Sequence, residues 1–143
     1  MASNFMQEFV WPIRVYYEDT DSGGVVYHSQ YLNFMERART EWLRSLGIEQ
    51  STLRHEQGLL FAVHSMQINY RRPAVFNDSL HVTSRLQKRA GASIVFEQSI
   101  YRGEELLCDA LVRVASLDAE TFRPKPIAKR WALPVPPWPN LYL

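Results

Sequence analysis

Glu18-Asp19-Thr20-Asp21-Ser22-Gly23-Gly24-Val25-Val26-Tyr27-His28, followed at once by Ser29-Gln30-Tyr31-Leu32-Asn33-Phe34-Met35-Glu36-Arg37-Ala38-Arg39, is the stretch around which the rest of the chain is arranged. Acids, two adjacent glycines and a histidine fall between a strand-like run and the strongest helix signal in the sequence. Glycine lets the backbone take positive φ and come close to a ligand. A helix start presents N–H groups that lack an intrahelical acceptor and suit a developing negative charge. The pattern predicts a bent, acid-bearing loop feeding a helix N-terminus, a place for chemistry.

Working outward, the helix is predicted to begin near His28 or Ser29, with Ser29 as its N-cap, and to end at Gly47. Tyr31, Phe34, Met35, Ala38, Trp42, Leu43 and Leu46 recur at three- and four-residue spacing, while Glu36, Arg37, Arg39, Glu41 and Arg44 fall mostly on the other side. That is a helix of about five turns whose apolar stripe needs a broad cover, most simply the face of a sheet. Before the loop, Ile13-Arg14-Val15-Tyr16-Tyr17 follows Pro12 and reads as a strand near a sheet edge. After the helix, Ser51 to Gln57 reads as a short second helix closed by Gly58. Phe61–Tyr70, Ser79–Lys88, Ser93–Tyr101 and Leu106–Leu117 then read as four strands in a meander, with glycine turns at Ala90-Gly91-Ala92 and Arg102-Gly103-Glu104. The order is α+β: strand, long helix, then antiparallel strands, about five in all. A single domain is expected over residues 1–127, with a proline-rich tail over 128–143; six of the eight prolines lie from Arg123 onward.

Composition bounds the function. The chain has 143 residues and 46% hydrophobic content, enough for one core. Sixteen Lys and Arg against fifteen Asp and Glu leave a formal charge of +1, which disfavours a nucleic-acid role. Cys108 is the lone cysteine and the first residues lack a signal-peptide pattern, so a cytoplasmic location is expected, without an integral membrane segment. Asp19-x-Asp21-x-Gly23-Gly24 superficially matches the start of a calcium loop, but Gly23 stands at the fifth position and Gln30 at the twelfth, where oxygen ligands are required. Four histidines and one cysteine give no zinc spacing, so no metal and no cofactor are expected.

The run Asp19-Thr20-Asp21-Ser22-Gly23-Gly24-Val25-Val26-Tyr27-His28, continued by Tyr31-Leu32 and Phe34 to Glu41, resembles the 4-hydroxybenzoyl-CoA thioesterase family of hotdog-fold enzymes. Within that family it is most similar to the YbgC-type branch, acyl-CoA thioesterases associated with the Tol–Pal system. The resemblance covers about residues 10 to 127. It implies a long central helix wrapped by a curved antiparallel sheet, and dimers or tetramers with active sites at the subunit interface. It implies hydrolysis of short- to medium-chain acyl-CoA, with longer or aromatic acyl groups and acyl carrier protein among the substrates and partners of some members. The glycine-histidine-phenylalanine-proline motif of the hotdog dehydratases is absent. A non-catalytic acyl-ligand binding or scaffolding module is the reading from another class, against which the carboxylate of Asp21 argues.

By the same resemblance, Asp21 matches the family's catalytic carboxylate, acting either as nucleophile or as general base toward water. The backbone N–H of His28 would hold the oxyanion, while its imidazole either joins the pocket or packs. Asp19 reads as structural, bonding the loop's backbone in an Asx-type turn. Gly24, Val25, Tyr27 and Tyr31 are candidate pocket residues. Glu36 stands where related hotdog subfamilies carry a catalytic acid, but its neighbours Arg37 and Arg39 favour an ion-pair or interface role. The CoA phosphates need cations; Arg71, Arg72 and Arg102 are available at strand ends or turns, and Lys88 and Arg89 are the chosen candidates.

Overall fold

The computed structural model describes residues 8–127, so the expected proline-rich tail, 128–143, lies outside the described residues. Five strands, β1 (Phe9–Arg14), β2 (Leu59–Tyr70), β3 (Ser79–Ala90), β4 (Ser93–Arg102) and β5 (Glu105–Asp118), form one antiparallel sheet around a long helix, α1 (Gln30–Ser45), and a short one, α2 (Gln50–Gln57). This is the α+β arrangement expected of the hotdog fold.

The periodicity of α1 is realised in its packing. Tyr31, Phe34, Met35, Ala38, Trp42 and Leu43 are buried in the core with Val82, Phe96, Ile100 and Val112 of the sheet. A fully buried side chain of this size contributes about 1.5–3 kcal/mol. Leu46 departs from the expected stripe: it sits at the helix C-cap and is 38% exposed. Gly47 follows at φ 85°, the left-handed conformation that ends the helix. Gly58 closes α2 in the same way, at φ 60°.

Two expectations are corrected. The first strand lies earlier than predicted, because the chain leaves the sheet after Arg14, and Tyr17–Asp19 form a 3-10 turn. Pro12 sits inside β1, opposite His81, and is tolerated because β1 is an edge strand paired only with β3. The meander is also shorter. The sheet order is β1-β3-β4-β5-β2, so β2 pairs with β5 rather than with its successor β3. Strand β3 already has β1 on one side and β4 on the other, which leaves the free edge of β5 for β2. The return from β2 to β3 therefore crosses the fold through residues 71–78. Register shifts at Val63/Ser65, Leu86/Lys88 and Ile100/Tyr101 interrupt the ladders. Such bulges bend strands and raise their twist, which suits a sheet curled around a helix.

Candidate active site

The acid-bearing loop is a small, pinned hairpin. Thr20 and Val26 form an antiparallel bridge, and Asp21 N–H donates to the Val25 carbonyl at 2.9 Å. The turn is closed by Gly24 N–H donating to the Asp21 carbonyl at 3.0 Å, with Gly24 at φ 82°. Its outer side is stitched to the β2–β3 crossover: Val25 bridges Val75, Val26 N–H donates to the Ala74 carbonyl, and Val15 N–H donates to the Asp78 carbonyl. The crossover is thus what holds the loop, a connection that no local pattern announces.

The two acids have different environments. Asp19 is 4% exposed; its Oδ2 accepts from Tyr16 N–H at 2.8 Å and its Oδ1 from the Gln30 side-chain amide at 2.7 Å. It therefore ties the start of the loop to the first residue of α1. The local Asx-type turn expected of Asp19 belongs to Asp21 instead, whose Oδ1 accepts from Gly23 N–H at 2.8 Å. Asp21 is exposed at the hairpin tip, and its Oδ2 has no hydrogen bond among the described residues.

At the other end of the loop, Tyr27 C=O accepts from Gln30 N–H at 2.8 Å. In a trans peptide the following N–H points the opposite way, and the His28 N–H has no acceptor among the described residues. Ser29 is the N-cap, as expected, but its backbone is helical and its hydroxyl makes no capping bond. Within the first turn of α1, Gln30 and Leu32 N–H are taken by the Tyr27 and Ser29 carbonyls, so the His28 N–H just ahead of the helix is an open donor of this turn.

Beside this turn lies a cleft of about 290 Å³ lined by Val26, His28, Tyr31, Tyr70, Arg71, Arg72 and Pro73. Tyr31 is buried and its hydroxyl oxygen accepts from Ala74 N–H at 2.9 Å; Tyr70 donates its hydroxyl to the His28 carbonyl at 3.0 Å. Burial pushes both phenols above their ordinary range, which keeps them protonated in neutral solution. The Tyr31 and Tyr70 rings meet edge-on at 5.5 Å, and His28 packs between Tyr27 and Tyr70. Buried Cys108 lies behind them, its thiol pushed up to about 12, mainly by burial.

Among the sequence candidates, His28 and Tyr31 meet in the cleft, while Asp21, Gly24 and Val25 form the adjoining hairpin and Tyr27 packs on His28. No hydrogen bond joins Asp21 to His28. Lys88 and Arg89 are not brought to this end of the chain. Strand β3 starts beside the loop, and Lys88 lies nine residues along it from Ser79, about 30 Å away. Arg89 donates instead to the Ile127 carbonyl at 3.2 Å.

The cations at the cleft are Arg71, whose Nε pairs with Asp109, and Arg72, whose Nε pairs with Glu105 at 3.3 Å. Arg71 holds the Asp109 carboxyl below its usual range, chiefly through that hydrogen bond. Arg102 stands close by, bonded to Asp78 at 2.6 Å and to Glu105 at 2.8 Å. Tyr70 is the residue that sequence reading missed: nothing in a strand pattern tells which hydroxyl will reach a helix start forty-two residues away. Among the described residues no cluster of His, Cys, Asp and Glu could hold a metal, and no helix is long and apolar enough to cross a membrane.

The thioesterase-like superfamily matches the chain over residues 15–139. An acyl-CoA thioesterase YbgC from Haemophilus influenzae is 48% identical over 116 residues, covering 81% of this chain and 85% of that protein. An acyl-CoA thioester hydrolase YbgC from Escherichia coli O6:H1 is 43% identical over 122 residues, covering 85% and 90%. The crystal structure of a probable thioesterase from Bartonella henselae superposes with a TM-score of 0.81 at 38% identity, covering 85% of this chain and 99% of that one.

Proposed function

This chain belongs to the thioesterase-like superfamily, and we propose that it is an acyl-CoA thioester hydrolase that releases free acid and CoA from short- to medium-chain acyl-CoA. The observation that carries the reading is the pairing of an exposed, hydrogen-bond-positioned carboxylate, Asp21, with an acceptor-free His28 N–H across one pinned loop.

The enzyme hydrolyses a thioester, which needs a group to start the attack, donors for the tetrahedral oxyanion, and a site for the acyl and thiol arms. Asp21 supplies the first. One of its oxygens is held by Gly23 N–H, leaving Oδ2 to attack the carbonyl carbon or to take a proton from an attacking water. As the carbonyl oxygen gains charge, the His28 N–H and the positive end of α1 stabilise it. The C–S bond then breaks and CoA leaves as the thiolate. On the nucleophilic route the acyl group remains on Asp21 as an anhydride, which water hydrolyses to the free acid and the regenerated carboxylate; on the general-base route the acid forms directly and the proton held by Asp21 passes to the thiolate. Mutational loss of one such donor in other enzymes costs about 10²–10³ in turnover.

Arg71 and Arg72, at the cleft, are the first choice for the CoA phosphates; Lys88 and Arg89, remote within one subunit, would serve only a site completed by a second copy. The free edge of β2, exposed at Val63 and Tyr70, is the edge on which a second copy would add to the sheet in a dimer or tetramer. Acyl carrier protein thioesters are the further substrate class, and the cytoplasm the compartment, that fit this reading.

The test is free-thiol release over acetyl-, butyryl-, decanoyl-, palmitoyl- and benzoyl-CoA, with Asp21→Asn alongside. Asparagine keeps the Gly23 contact and removes the charge. Loss of at least ~100-fold, about 2.7 kcal/mol of transition-state stabilisation, with unchanged folding supports the mechanism. Full activity in the variant overturns the role of Asp21. No turnover by the wild type on any of these would leave an acyl-ligand binding module.

A further inference from the structure

We propose that the cavity between α1 and β2, closed on the inside by Arg39, is a binding site for a monocarboxylate on a short apolar body. Arg39 was expected on the polar side of the helix, in an ion pair or an interface. It is 7% exposed and has no ion-pair partner among the described residues.

Its surroundings hold it in place without neutralising it. Arg39 Nη1 donates to Gln98 Oε1 at 2.9 Å. The amide of buried Gln98 is itself oriented by donating to the Met35 carbonyl at 3.0 Å and to Ser84 Oγ at 2.9 Å. The guanidinium carbon lies 6.0 Å from the centre of the Phe96 ring. A guanidinium has five N–H donors, and Gln98 takes one of them. A buried cation without an anion is costly, and burial pushes this guanidinium below its ordinary range, with Glu36 partly opposing.

Arg39 lines a half-open pocket of about 140 Å³, with Phe61, Val63, Phe96 and Val114 as apolar wall and Thr40 and Gln50 as polar edge. An apolar cavity of about 150 Å³ admits a molecule the size of benzene, so a body of roughly four to six carbons fits. Glu36 also lines the pocket. It is exposed, and its carboxylate accepts from the Thr40 hydroxyl at 2.7 Å rather than pairing with Arg39. Its charge disfavours a second negative group on the ligand, which selects a single carboxylate over a phosphate or a dianion.

That carboxylate has two sources: the far end of a dicarboxylic acyl chain, or a free short-chain acid such as the hydrolysis releases. Only the first rests on the thioesterase reading. Arg39 stands eleven residues after His28, about 16 Å in the direction of the helix and beyond a six-carbon acyl chain, so the acyl-chain source also requires that a second copy bring its loop to this pocket.

The experiment uses the full chain with hexanoate, hexanol and hexylamine in calorimetric titrations, and hexanoyl- and adipoyl-CoA in thiol-release assays. Arg39→Met removes the charge; Gln50→Trp fills the pocket from α2 and leaves Arg39 in place, in case the first variant fails to fold. Hexanoate is expected to bind the wild type at least tenfold more tightly than hexanol or hexylamine, and at least tenfold more weakly to either variant. An adipoyl-to-hexanoyl kcat/KM ratio that falls at least tenfold in the variants assigns the carboxylate to the acyl chain. An unchanged ratio with lost hexanoate binding assigns it to a free acid. Hexanoate binding no better than hexanol, together with an unchanged ratio, overturns the proposal and leaves a water-filled cavity only. Failure of hexanoyl-CoA turnover in the wild type would sink the hydrolase reading while the titration still decides this one.

Discussion

The side-chain amide of Gln30 donates to Asp19 Oδ1 at 2.7 Å, joining the first residue of the long helix to a buried acid eleven positions earlier. Loop and helix start therefore move as one body, with Tyr16 N–H held by the other oxygen of the same carboxylate. The two acids of the loop divide the work: Asp19 builds the loop, while Asp21 is exposed at its tip, where the proposed mechanism uses it. Asp19→Ala removes the acceptor of two part-buried donors, Tyr16 N–H and the Gln30 amide, and is expected to cost about 1–3 kcal/mol of stability. Asp21→Asn is expected to stay within about 0.5 kcal/mol of wild type. Urea unfolding of both variants checks this, and equal losses would remove the division of roles.

The two glycines of the loop are predicted to fail differently. A Cβ on Gly23 would meet Asp21 Oδ1 at 3.3 Å, so Gly23→Ala shifts the carboxylate and should lower turnover about tenfold with little loss of stability. At Gly24 nothing lies within 4 Å, but φ is +82°, so Gly24→Ala should cost about 1–2 kcal/mol through backbone strain. Paired thermal melts and thiol-release assays separate the two; a fully active Gly23→Ala would show that the carboxylate position does not matter.

In the proposed mechanism Tyr70 acts through the His28 carbonyl, as a positioning residue. Tyr70→Phe removes one neutral hydrogen bond, worth about 0.5–1.5 kcal/mol, and keeps the ring against Tyr31. Turnover is expected to fall about three- to tenfold, mainly in kcat, with KM nearly unchanged. A rise in KM alone would place Tyr70 in substrate binding instead.

Cys108 gives a pH signature. Its thiol is pushed up from 9.0 to about 12 by burial, so the folded state keeps its proton where the unfolded chain begins to lose it. Below about 9 the two states bind the same proton and this contribution to stability is fully present. Between about 9 and about 12 the unfolded state binds fewer protons, and stability falls as pH rises. Denaturation midpoints across that window should decline, and less steeply in Cys108→Ala. Aromatic disulfide reagents should leave the native thiol unmodified at pH 8 and react once the chain is unfolded.

Much of this molecule is legible from local pattern. The three- and four-residue spacing from Tyr31 to Leu43 determines the long helix and its buried face, and Gly47 and Gly58 mark both helix ends because only a left-handed residue closes them cheaply. The run from Asp19 to His28 announces the loop and the family. These are properties of residues within a few positions of one another, where spacing alone decides the outcome.

Tertiary structure decides the rest, because it depends on which distant groups share one volume. Strand β2 lies against β5 because β1 and β4 occupy both sides of β3, and the crossover this forces carries Arg71 and Arg72 to the cleft. Arg39 has the sequence neighbours of a surface cation. It is buried because Gln98, fifty-nine residues away on β4, offers its carbonyl oxygen beneath the helix. Helical periodicity assigns a residue to a side of the helix, but only the packed sheet determines how far its cover extends.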